Sequence, residues 1–496
     1  MKTCLRISLA LSLAWFSACK DGPVEHSLPA PPKLCDCLEG SEQNATYRLT
    51  LQGQAAGWSH LNICACDQPE GHRLIWGKRQ LSFMRGESRV KLLTRFVNQL
   101  DTQGAPVRLY TIKGQSDTEP MRLEATRLGS KLHIRQADNT HQIPLEPMAL
   151  EEESFTFFLW SSSNKPVLDK ELKRRVFSLE KGGYLDDTIK VTQILSDGSF
   201  WIAHRPGSIP GLEVKQLLDA GGLPIRIESQ LGRLRMSAVR AKEASKKTLL
   251  SAPDLTPLMS ASTQGRIDNP AQLAQARYRL RGLPAEITRE GLKGPGQKVQ
   301  SMPSSGEAYI EVRRLSEPKA SGEIRVADAR YLKDSHLLGI ATPAIQALSK
   351  KLTDSKQSPW SQAKRLRAWV AGEIRSDMGM NFAAAPVVLR TRRGDCSEKS
   401  LLLVSLARAS KIPARAVAGL VYHRGKFSGH MWVEVWTKDG WRPMDAALGG
   451  EQVSAARIRL EEVALGFGEN GPGLLAGKAL ALGLRVDILE PSTSSP

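Results

Sequence analysis

Three short segments of this sequence carry residue types that together could transfer an acyl group. They are Gly394-Asp395-Cys396, Gly429-His430 and Met444-Asp445. A cysteine thiolate attacks a carbonyl carbon, an imidazole carries the proton, and a carboxylate fixes the tautomer and orientation of that imidazole. Taken singly, none of the three is specific. A lone cysteine in a helix is usually a small buried hydrophobe, a strand histidine is more often structural, and an aspartate near a turn usually caps something. Their order along the chain and the elements around them carry the inference of a Cys396/His430/Asp445 site.

The elements can be read from local pattern. Asp395 followed by Glu398, ahead of the apolar run Leu401-Leu402-Leu403, is a capping box. It places Cys396 in the first turn of a helix, beside unpaired backbone N–H groups and the positive end of the helix dipole, which stabilise a thiolate. Leu402, Ser405, Leu406 and Ala409 form the expected buried face, and Gly394 is expected to let a substrate approach the backbone closely. Ile412-Pro413 ends the helix before a strand over 416–422. From Gly429 to Trp436 the residues alternate, so His430, Trp432 and Glu434 share one face. If Thr437-Lys438-Asp439-Gly440 is the loop, Trp436 pairs with Trp441 and Trp432 with Asp445. His430 and Asp445 are then diagonal neighbours, ~7–8 Å apart between backbones and within side-chain reach. A two-residue Asp-Gly loop would put Asp445 opposite Glu434, too far to help.

Gly-Asp-Cys, then Gly-His-Met-Trp-Val-Glu-Val, then Asp-Gly-Trp-Arg-Pro-Met-Asp resembles the transglutaminase-like superfamily, whose core is similar to papain-like cysteine proteases. The resemblance covers about residues 340–450. It implies a thioester on Cys396, proton relay by His430 oriented by Asp445, and resolution by water or an amine. It also implies an oxyanion held by the Cys396 N–H and one further donor, for which Trp369 and Asn381 are positional candidates. Trp432 would either shield the site from water or simply pack. Neither metal nor other cofactor is expected, since the histidines show no ligand spacing.

The rest of the chain supplies context. The 496 residues imply several domains, and Lys+Arg exceed Asp+Glu by 69 − 51 = 18. Because the charges are scattered, the excess reads first as a solvated surface, or as one that attracts an anionic envelope polymer. No nucleic-acid motif accompanies it, so no nucleic-acid partner is expected. Residues 1–18 form a secretory signal: Lys2 and Arg6, then an apolar run too short to span a bilayer, then Ser17-Ala18. Phe16-Ser17-Ala18-Cys19 resembles a bacterial lipobox, with phenylalanine where leucine is usual, and would leave Cys19 lipidated. The protein is thus expected on the periplasmic or cell-surface side, anchored by lipid alone. Cys35, Cys37, Cys64 and Cys66 form two Cys-x-Cys pairs, read as two disulfides linking one pair to the other, with a Cys₄ zinc site as the rival. Either way Cys396 has no obvious partner.

The expected architecture is an N-terminal antiparallel all-β domain followed by an α+β transglutaminase-like domain. Residues 19–44 read as a tether. Residues 45–250 show short alternating runs at 47–51, 107–112, 131–134, 155–160, 189–194 and 224–227. This region has no catalytic constellation, and its Trp and Phe residues read as core. Residues 251–335 read as linker and small β unit. The helical period over 336–470 marks the transglutaminase-like domain, and 471–496 is an extension. Two functions follow. One is an exported cysteine amide hydrolase or acyltransferase acting on protein or peptide. The other is an envelope scaffold that keeps the core only as architecture. Nothing singles out the carboxylate pair that glycoside hydrolysis uses.

Overall fold

The computed structural model describes residues 28–492, apart from 116–119, 137–138, 147–148, 152–158, 161–164, 180–181, 208, 210, 242–251, 319–327, 336, 378–382, 449–451, 464 and 466–473. The signal and lipobox calls, Cys19 and Asn381 lie outside the described residues. No described helix is long and apolar enough to cross a membrane.

Among the described residues, fifteen strands between Gln43 and Ala241 build one sheet, an up-and-down meander in which the first strand, Gln43–Leu51, also pairs with the last, Leu234–Ala241. Pairing is antiparallel throughout, apart from Leu150–Glu151 beside Glu171–Ser178. The sheet curls: Phe177 and Leu179 from one half share a core with Leu123, Leu132 and Ile134 from the other. Five of the six strand runs expected from alternation lie inside these strands. The sixth does not: Leu159 and Trp160 are helical, and the rest of that run is outside the described residues. A short apolar run does not distinguish strand from buried helix. Cys35 pairs with Cys66 and Cys37 with Cys64, as disulfides.

The region 251–335 and the C-terminal extension belong to one sheet. Arg485–Ser492 pairs with Gln275–Arg281 on one side and Ser262–Gln264 on the other, and Glu307–Arg313 and Gln297–Ser304 complete it. The buried Tyr278, Leu280 and Ile310 of this sheet join Leu401, Leu402 and Leu406 in a single core. Around that core lie helices Pro343–Leu352, Pro359–Glu373 and Ala385–Thr391, and a four-stranded sheet led by Ala414–His423 and Lys426–Thr437. The helix Cys396–Ala409 runs through the middle, so it is buried from Ser397 to Arg408 on every face rather than on the one stripe expected.

Candidate active site

Asp395 is the N-cap of the helix Cys396–Ala409, and the reciprocal capping box forms: its carboxylate accepts from Ser397 N at 2.7 Å, and Glu398 accepts from Asp395 N at 2.9 Å. Cys396 is therefore the first helical residue, where the helix leaves its N–H without an internal acceptor. It is half-buried and is the one free cysteine among the described residues. Gly394 is also required by the cap itself. A Cβ there would lie 2.5 Å from Glu398 Cβ, so this glycine makes room for the capping glutamate.

The strand Lys426–Thr437 brings His430 to the same place, and Trp436 pairs with Trp441, the register that puts His430 and Asp445 on one face. The loop is shorter than expected, because Thr437 also pairs with Gly440 across Lys438-Asp439, yet the register is unchanged. His430 Nε2–H donates to Asp445 Oδ2 at 2.8 Å, and the ring is also hydrogen-bonded to Cys396. With Nε2 on the carboxylate, Nδ1 is left for the sulfur. His430 is 8% exposed and Asp445 3%. Burial opposes charging of the imidazole, but the Asp445 carboxylate and the cysteine outweigh it and hold His430 up at about 9. Burial likewise opposes ionisation of Asp445, and there the His430 and Arg457 charges win, keeping it well below the usual carboxylate range. Trp432 lies almost parallel to His430, ring centroids 6.2 Å apart, and packs over Gly419, where a Cβ would meet Trp432 Cη2 at 2.8 Å.

Two cations at the site were not expected from sequence. Arg457 Nη2 donates to Asp445 Oδ2 at 2.8 Å, sharing that oxygen with His430. It offsets part of the carboxylate's charge and helps keep Asp445 ionised. The only sequence signal is a pair of arginines, Arg457 and Arg459, in a strand that is otherwise apolar up to Leu460. Arg85 comes from the N-terminal sheet and reaches Asp395 Oδ2 at 2.5 Å across 310 residues of sequence. Beneath the histidine strand, Arg415 binds Glu434 and Glu462, each at 2.7 Å, and stacks on Trp441 at 4.2 Å. Lys399, one helical turn after Cys396, is buried, which lowers its basicity, and bonds Ser376 Oγ at 3.1 Å. Trp369 stacks against Arg392 at 4.6 Å. Among the described residues no group of three or more His, Cys, Asp or Glu is placed to hold a metal ion.

Comparison with known proteins fits this geometry. Residues 346–446 match the model of the transglutaminase-like superfamily. No curated protein matches the chain. Among solved structures, a β-barrel-like protein of unknown function from Brucella abortus is 12% identical over 41% of this chain and 96% of its own, with a TM-score of 0.32. A "Putative Cysteine Protease" from Cytophaga hutchinsonii is 12% identical over 43% of this chain and 82% of its own, with a TM-score of 0.28. A "Putative Protease" from Parabacteroides distasonis is 13% identical over 77% of this chain and 70% of its own, with a TM-score of 0.21. At those scores the structural likenesses carry no weight. The matched segment, 346–446, holds Cys396, His430 and Asp445, and it is this part of the chain that is similar to the transglutaminase-like superfamily.

Proposed function

We propose that this protein is a cysteine enzyme that cleaves protein or peptide amides, or transfers their acyl groups, through a thioester on Cys396. One observation carries the reading: a cysteine on the first turn of a capped helix is hydrogen-bonded to a buried histidine, which is itself oriented by Asp445 at 2.8 Å. The Cys396 thiolate attacks the amide carbon and a C–S bond forms. The oxyanion is received at the helix N-terminus. His430 then protonates the departing amine as the C–N bond breaks. Water or a second amine attacks the thioester and gives its proton to His430, and the thiolate is released. The two disulfides support an oxidising compartment, in keeping with export and a lipid anchor at Cys19.

The test is alkylation of the mature protein by iodoacetamide across pH, beside a His430→Ala variant. Cys396 is expected to alkylate at neutral pH faster than a free thiol and to lose that advantage without His430. An ordinary or inaccessible thiol in both proteins would mean that the fold is kept as a scaffold.

A further inference from the structure

The outer face of the N-terminal sheet holds a second, separate site. Register sets His60 opposite Lys78 and Lys78 opposite Arg95, a row of three basic side chains across three strands. Like charges directly opposed on a sheet repel. The row and the two beside it contain no carboxylate between strands Gln43–Leu51 and Pro106–Gln115; the nearest in register is Glu124, one strand beyond Tyr110. Arg95 bonds the neutral carbonyl of Leu28. Among the described residues no carboxylate in these rows offsets the charge.

The flanking rows supply Trp58, Asn62 and Trp76, so tryptophans on this face are half-buried rather than core. Thr46 Oγ1 is hydrogen-bonded to His60 Nδ1 at 2.8 Å, which leaves Nε2 as the ring's other polar atom. Above the row lies a cleft of about 280 Å³ lined by His60, Asn62, Trp76, Lys78 and Arg95 and roofed by Pro31. That is just under the range usual for ligand pockets, enough for a small molecule only. The roof is fastened twice. Leu28 packs over Gly114, where a Cβ would lie 2.5 Å from Leu28 Cδ2, and the disulfides of Cys35 and Cys37 pin the segment to Cys66 and Cys64. Trp76 packs against that disulfide cluster.

We propose that this disulfide-roofed cleft binds a small saccharide bearing a carboxylate or a phosphate. Lys78 and Arg95 take the anion, His60 and Asn62 offer polar contacts to hydroxyls, and Trp76 packs on the apolar face of the sugar ring. The cleft would hold the enzyme at an acidic glycan while the thiol site works on nearby amides.

Titrating the full chain with glucuronate, glucose 6-phosphate and glucose, followed by tryptophan fluorescence and calorimetry, tests this. One or both charged sugars should bind about tenfold more tightly than glucose, since a charge-assisted bond is worth roughly that factor. Which of the two binds identifies the anion. Lys78→Met should remove most of that preference, reduction of the disulfides should weaken binding, and Cys396→Ser should leave it unchanged. Equal affinity for glucose, no binding of either anion at millimolar concentration, or an unaltered preference in Lys78→Met would each overturn the proposal.

Discussion

Replacing Arg85 by methionine should disturb the nucleophile from the far end of the N-terminal sheet. Arg85 sits at the tip of the hairpin Arg73–Arg85/Ser88–Leu100. The tip is gripped by the segment after the sheet: Met84 N donates to Pro253 O at 2.9 Å, Leu255 N to Met84 O at 3.0 Å, and Gly86 N to Thr256 Oγ1 at 2.7 Å. Its guanidinium is 16% exposed, and its partner Asp395 only 2%. Without Arg85 the Asp395 carboxylate keeps the Ser397 N–H but loses its cation, and Glu398 beside it, pushed up to about 8 by burial and by the Asp395 charge, is protonated and brings no compensating charge. Removing one partner of a buried pair costs about 3–5 kcal/mol, and the partial exposure of Arg85 lowers this to about 2–3 kcal/mol. That cost falls on the cap that places Cys396 in the first turn. Urea unfolding, followed by tryptophan fluorescence, should show the loss, and the alkylation rate of Cys396 should fall with it. Arg85→Lys should recover part of both. Glu87→Ala, exposed at the same tip, should change neither. Wild-type stability together with a wild-type alkylation rate in Arg85→Met would refute the coupling.

Two further outcomes follow from the same geometry. Because the folded state raises His430 from 6.5 to about 9, the protonated ring stabilises the fold fully below pH 6.5, and that contribution fades as pH climbs through about 9. Urea unfolding at pH 6 and pH 10 should show wild type losing about 3 kcal/mol more than His430→Gln, and equal losses would mean that the imidazole is not held charged. Gly394→Ala should push Glu398 off the Asp395 N–H, cutting the alkylation rate of Cys396 and costing about 1 kcal/mol as a lost cap, which thermal unfolding and labelling together would reveal. A fully reactive Gly394→Ala protein would show that the capping box does not govern the thiol.

How much of this site could be read from the sequence follows the range of the interactions. The capping box spans three residues, and the alternation from Gly429 to Trp436 is local, so the placement of Cys396 and His430 was legible. Asp445 was legible once a hairpin register was chosen. Arg457 binds Asp445 across a strand connection with no periodic mark, and Arg85 binds Asp395 from another sheet, so neither left a local trace. The helix looked one-faced because its polar residues suggest an exposed side. In the structure Lys399 bonds Ser376 Oγ at 3.1 Å and Arg408 bonds Ala414 O at 2.9 Å, so burial is met by specific acceptors that sequence does not display. The C-terminal strand was taken for an extension because nothing in Arg485–Ser492 names its partners more than two hundred residues earlier.

That strand has a consequence for how the protein comes into being. Arg485–Ser492 lies between two segments made long before it, and its Val486 is fully buried in the core that also encloses the cysteine helix. A growing chain lacking it has an open sheet edge at Tyr278 and an unfilled core under the nucleophile, so the cooperative unit cannot close until the strand arrives. The thiol therefore becomes an assembled site only after all of its own scaffold has been synthesised. Chains that stop short, whether by premature termination or clipping, lack one strand of that sheet and the Val486 side chain of that core, so the helix bearing Cys396 would lose part of its support.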